Sequence, residues 1–81
     1  MQGRQGDDMK LDTPRRAAIH VNGEPAETEA RTLAELVAGR GFADNQVATA
    51  LNGEFVPRSA RTATLLSAGD KVEIVAPRQG G

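Results

Sequence analysis

The chain has 81 residues, enough for a single domain, and 38% of them are apolar. Phe42 and Phe55 are its only aromatics, so aliphatic side chains must fill a small core, with little left to line a deep ligand cavity. A formal net charge of -1 without a basic block argues against nucleic-acid binding, no apolar run reaches the length of a membrane span, and the lack of cysteine excludes a disulfide scaffold and a thiolate metal site.

Residues 1–16 are polar, with only Met9 and Leu11 as sizeable apolar side chains. Such a segment buries too little surface to offset its ordering entropy, and it reads as a disordered extension, native or vector-derived. It has no signal-peptide character, and a reducing cytoplasm is the expected compartment. A single domain is expected over 17–77, followed by a flexible tail over 78–81.

Order is expected to begin at Ala17. Ala17, Ile19 and Val21 alternate with Ala18 and His20, a period of two that signals a half-buried strand. Asn22-Gly23 tolerates positive φ and turns the chain into a return strand over Glu24 to Thr28, which Pro25 confines to a sheet edge. A two-turn helix follows. Thr32 as N-cap with Glu35 three residues on makes a capping box, and Leu33, Leu36, Val37 and the stem of Arg40 share one face. Gly39 and Gly41 offer left-handed stops.

The third strand is expected over Gln46 to Leu51, with Val47, Thr49 and Leu51 on one face and Ala48 and Ala50 on the other. A second Asn-Gly pair, Asn52-Gly53, leads into a short strand over Glu54 to Val56, closed by Pro57. Arg58 to Thr64 reads as a polar connection with a single helical turn, after which Leu65 and Leu66 plug the open end of the core. Ser67 to Asp70 is a turn. The last strand is Lys71 to Ala76, with Val72, Ile74 and Ala76 opposed to Lys71, Glu73 and Val75. The order is hairpin, helix, strand pair, final strand. It predicts an α+β ubiquitin-like β-grasp fold: a mixed sheet of four to five strands, one main helix packed across it, and the first and last strands parallel at its centre through a right-handed crossover.

Little inside this fold suggests catalysis. His20 is the only histidine and reads as a surface residue, so no histidine cluster binds metal. No phosphate-binding glycine loop occurs, and no serine or threonine has an obvious base beside it in sequence. Asp44 and Asp70 are expected to cap backbone donors in turns. The chemistry points instead to the end of the chain. A terminal carboxylate is a poor acyl donor until ATP converts it to an acyl-adenylate, which a sulfur nucleophile can then attack. A separate enzyme must perform that activation. The tail must thread a narrow channel to reach the α-phosphate, and Gly80-Gly81 suits this because residues without Cβ pass where others clash.

Several segments resemble the ThiS family. They are Val21-Asn22-Gly23-Glu24, the stretch from Ala50 to Arg58 (Ala-Leu-Asn-Gly-Glu-Phe-Val-Pro-Arg), Leu66 to Ile74 with its Gly69-Asp70 turn, and the Gly80-Gly81 end. The resemblance spans about Ile19 to Gly81. It implies a protein co-substrate that is not itself an enzyme. An E1-like activating enzyme (ThiF-like) adenylates Gly81 with ATP, sulfur is installed as a thiocarboxylate, and a thiazole synthase (ThiG-like) accepts it in thiamine biosynthesis. Gly80 is the steric companion of Gly81, no cofactor or metal is bound, and a monomer is expected when free. The small subunit of molybdopterin synthase, another sulfur carrier and a ubiquitin-like modifier are the alternatives. Arg58 is expected either to lock its loop by bonding carbonyls or to contact a partner. Arg78 reads as a solvated tail charge or a contact at the activating enzyme's mouth. Val75 and Phe55 are the candidates for an apolar docking patch.

Overall fold

Period-two alternation and two Asn-Gly turns shape the sheet. In the computed structural model, which describes residues 16–76, five strands form: β1 (Ala17–Val21), β2 (Glu24–Thr28), β3 (Ala48–Leu51), β4 (Glu54–Val56) and β5 (Lys71–Val75). Their order is β2-β1-β5-β3-β4. β1 and β5 run parallel at the centre, and every other neighbouring pair is antiparallel. A single helix, α1 (Leu33–Gly39), packs on one face. This is the β-grasp arrangement. Pro25 lies on β2, an edge strand, where its missing N–H costs no central ladder bond. The segments 1–15 and 77–81 lie outside the described residues.

Both hairpins turn as their sequences require. Asn22 and Asn52 each sit at φ 53, and Gly23 and Gly53 follow at φ 85 and 87. Positive φ at both central positions is the type I′ pattern, whose twist matches that of paired strands.

The helix has only seven residues and depends on its ends and its packing. The Thr32 hydroxyl accepts from the Glu35 amide at 3.1 Å. The Glu35 carboxylate accepts from the Arg31 amide at 2.7 Å, one residue further back than the standard reciprocal bond. Leu33, Leu36 and Val37 face the sheet and meet Ile19, Val21, Val47, Val56, Val72 and Ile74. Each of these side chains, removed from water, contributes about 1.5–3 kcal/mol before entropy is subtracted. Arg40 is exposed. Gly41 alone provides the left-handed stop, at φ 88, because Gly39 is still helical.

Three other expectations change. Gln46 belongs to a 3₁₀ turn (Asp44–Gln46), so β3 is shorter at its start than the alternation implied. The connection after Pro57 is a six-residue 3₁₀ helix (Arg58–Ala63), more than a single turn. Leu65 does not plug the core. The Leu33 amide donates to the Thr64 carbonyl and the Leu66 amide to that of Arg31. These bonds hold the chain extended at Leu65, so consecutive side chains take opposite sides. Leu66 packs against the core, and Leu65 is left 69% exposed.

Candidate functional site: the open sheet face and the end of the central strand

The helix covers one face of the sheet, and the other face is open. Alternation decides what it shows. Val72 and Ile74 of β5 point inward, so Lys71, Glu73 and Val75 point outward. On β3 Thr49 is inward and Ala48 and Ala50 are outward; on β4 Val56 is inward and Phe55 outward. The register places Phe55 opposite Ala50, Ala50 opposite Glu73, and Ala48 opposite Val75. Small alanines between the two larger side chains leave both uncovered, and Phe55 is 69% and Val75 58% exposed. The two residues expected to form an apolar patch therefore share one face across β3. Val75 ends β5, so the patch borders the point where the chain leaves the sheet.

That exit point is held from both sides. On the β3 flank Ala48 pairs with Val75. On the β1 flank the ladder is short, since only His20 and Val21 pair with Lys71 and Val72. The Asn22 side chain extends it. Its Oδ1 accepts from the Ile74 amide at 2.9 Å, and its Nδ2 donates to the Ile74 carbonyl at 3.1 Å. Asn52 makes a related grip at the other end of β5, where its Oδ1 accepts from the Lys71 amide at 2.9 Å and its Nδ2 donates to Asp70 at 3.1 Å. Asp70 also caps the Ser67 amide at 2.8 Å, as its turn position implied.

Loop locking falls to Arg61, a residue the sequence reading passed over. Its Nε donates to the Thr49 hydroxyl at 3.0 Å, its Nη1 to the Asp44 carbonyl at 2.8 Å and its Nη2 to the Val47 carbonyl at 2.7 Å. The Asp44 carboxylate stands 3.6 Å from Nη1, and the Thr49 hydroxyl passes a bond of 2.9 Å to the Val56 carbonyl. Arg61 is 2% exposed. Arg58 is exposed at the start of the same 3₁₀ helix, and its side chain makes no hydrogen bond among the described residues, so it does not lock the loop. Arg78, Gly80 and Gly81 lie outside the described residues.

Nothing else among the described residues gathers reactive groups. His20 is exposed on β1. No group of three or more His, Asp or Glu side chains there could hold a metal ion, and no helix is long and apolar enough to cross a membrane. An open depression between β2 and α1 is bordered by Glu27, Glu29, Glu35 and Arg40. Its one ion-pair cluster, Arg16 with Glu27 (3.8 Å) and Glu29 (3.6 Å), is a solvated surface contact.

Known proteins share this fold. A crystal structure of the thiamine biosynthesis protein ThiS from Geobacter metallireducens superposes with a TM-score of 0.65 at 34% identity, covering 79% of this chain and 99% of that one. A solution structure of a thiamine biosynthesis protein from the same organism gives 0.67 at 32% identity, covering 79% and 87%. A thiazole synthase of Magnetococcus marinus is 43% identical over 58 residues, which is 70% of this chain but only 18% of that protein. The ThiS family profile matches residues 15–81, and with the five-stranded β-grasp sheet this shows that the chain belongs to the ThiS family.

Proposed function

We propose that this chain is a sulfur carrier for thiazole formation in thiamine biosynthesis. Its reactive atom is the carboxyl carbon of Gly81. An ATP-dependent, E1-like activating enzyme adenylates that carboxylate, a sulfur donor displaces AMP, and the resulting thiocarboxylate is delivered to a thiazole synthase. Gly80 lets the chain end enter both active sites. The folded body supplies recognition through Phe55 and Val75 on the open sheet face, with Arg58 and Arg78 as charged contacts. ATP is consumed at the activating enzyme. The chain acts as co-substrate.

The observation that carries this reading is the position of β5. The central strand ends at Val75 beside an apolar patch, and Gly80-Gly81 follows shortly after it in the sequence. A body that docks through this patch is thereby brought beside the start of its own tail. The family match and the thiazole synthase relative support the choice of acceptor. The test is mass spectrometry after incubation with the activating enzyme, ATP and a sulfur source. The expected gain is that of one sulfur replacing one oxygen, located on Gly81 by fragmentation. Deleting Gly81 should abolish the gain with the circular-dichroism spectrum unchanged. A truncated chain that still gained sulfur would refute the assignment.

A further inference from the structure

We propose that Asn22 is a positioning residue for the chain-end reaction: its side chain clasps β5 at Ile74 and so fixes the point from which the terminal segment departs. The inference rests on the carrier reading above.

The backbone groups of a strand alternate between its two neighbours. On β5 the Lys71 amide and carbonyl are used on the β3 side, by Asn52, while Val72 and Ile74 are used on the β1 side, by Asn22. β1 stops at Val21, opposite Val72, and the Asn22 amide then donates to the Val72 carbonyl at 2.8 Å. Beyond that bond no backbone of β1 is left to hold Ile74. The primary amide of Asn22 takes its place, because it carries an acceptor and a donor side by side and reproduces one rung of a ladder. Positive φ at Asn22 swings the side chain back over β5, so one residue both makes the turn and closes the ladder. This is the last bond on that flank before Ala76.

Loss of the clasp would leave the Ile74 amide and carbonyl without their partner and the end of β5 tied to β3 alone, through Val75. The free chain would gain conformations at its exit that must be surrendered when the tail enters an active site. Once the tail is threaded, the reacting geometry is the same. The cost therefore falls on binding, and KM for the carrier should rise while kcat holds. Asn52 supplies an internal control. It sits in the same turn type and makes a related side-chain grip, to the Lys71 amide and the Asp70 carboxylate, at the end of β5 remote from the tail.

The experiment compares Asn22→Gly and Asn52→Gly in the full chain, since glycine preserves positive φ and removes only the side-chain bonds. Adenylation by the activating enzyme is measured well below the melting temperature of both variants, with amide exchange recorded in parallel. For Asn22→Gly the expected result is a KM about tenfold higher, an unchanged kcat and faster exchange at Ile74. For Asn52→Gly it is a KM within about twofold of wild type. Equal KM increases in both variants, or an unchanged KM in Asn22→Gly, would overturn the proposal. Should Asn22→Gly fail to fold, Asn22→Asp keeps the acceptor and loses the donor, and its KM should lie between; an unchanged value overturns the proposal equally. Wild-type chain that gains no sulfur would instead remove the carrier reading. In that case Ile74 exchange still tests the clasp, which unchanged exchange in Asn22→Gly refutes.

Discussion

A single guanidinium ties together the side of the fold built by β3, β4 and the two 3₁₀ segments. Arg61 bonds two carbonyls in the Asp44–Val47 segment and the Thr49 hydroxyl, and so joins the 3₁₀ helix to β3 and, through Thr49, to β4. Lysine carries the charge without the planar fork and cannot satisfy three acceptors set in these directions. Arg61→Lys should therefore cost about 2–3 kcal/mol, read from urea unfolding, a large share of the stability of so small a domain. Thr49→Val should cost about 1–2 kcal/mol, and a double-mutant cycle should show the two to be coupled rather than additive. Part of this was legible. Thr49 occupies an inward position of a strand, and a buried hydroxyl needs a partner. The polar stretch after Pro57 offers only Arg58 and Arg61 as long donors, but it has no apolar periodicity to fix the phase of its 3₁₀ helix. Nothing in the sequence therefore marked which arginine turns inward.

Elements whose signals are local match their sequence most closely. The Asn-Gly turns, the alternation of β1 and β5 and the Thr32 cap all depend on residues within four positions of one another. The error at Leu65 lies where distant backbone decides. Leu65 and Leu66 look equally able to enter the core, and only the bonds of this segment to the Arg31–Leu33 backbone assign one to each side. The reach of Asn22 to Ile74, across 52 positions, has no local signature either. The cap can be weighed separately from function. Thr32→Ala removes the acceptor for the Glu35 amide and should lower stability by about 1 kcal/mol by thermal or urea unfolding. Because the cap lies on the helix side, away from the open face, the rate of sulfur loading should not change.

At the scale of the whole molecule, one sheet face is packed against the helix and the other is left open. The inner face and α1 hold all nine core side chains, and Phe55, one of only two aromatics, stands outside them on the opposite face. That choice would be wasteful in a protein that met only water, since a phenylalanine at an inward position would add to a small core. It sits instead on β4, a three-residue edge strand closed by Pro57, too short and interrupted to template further strand pairing. The exposed ring is thus suited to side-chain docking rather than sheet extension. Aromatic anchors at the centre of an interface commonly carry 2 kcal/mol or more of binding energy, whereas exposed side chains contribute little to folding. Phe55→Ser should accordingly leave unfolding free energy within about 0.5 kcal/mol of wild type. It should weaken binding to the activating enzyme by about 30-fold in calorimetry. Ala18→Ser, on the same face but across the sheet on β1, should change neither. An unaltered affinity in Phe55→Ser would show that recognition lies elsewhere on the body, even if Gly81 still accepts sulfur.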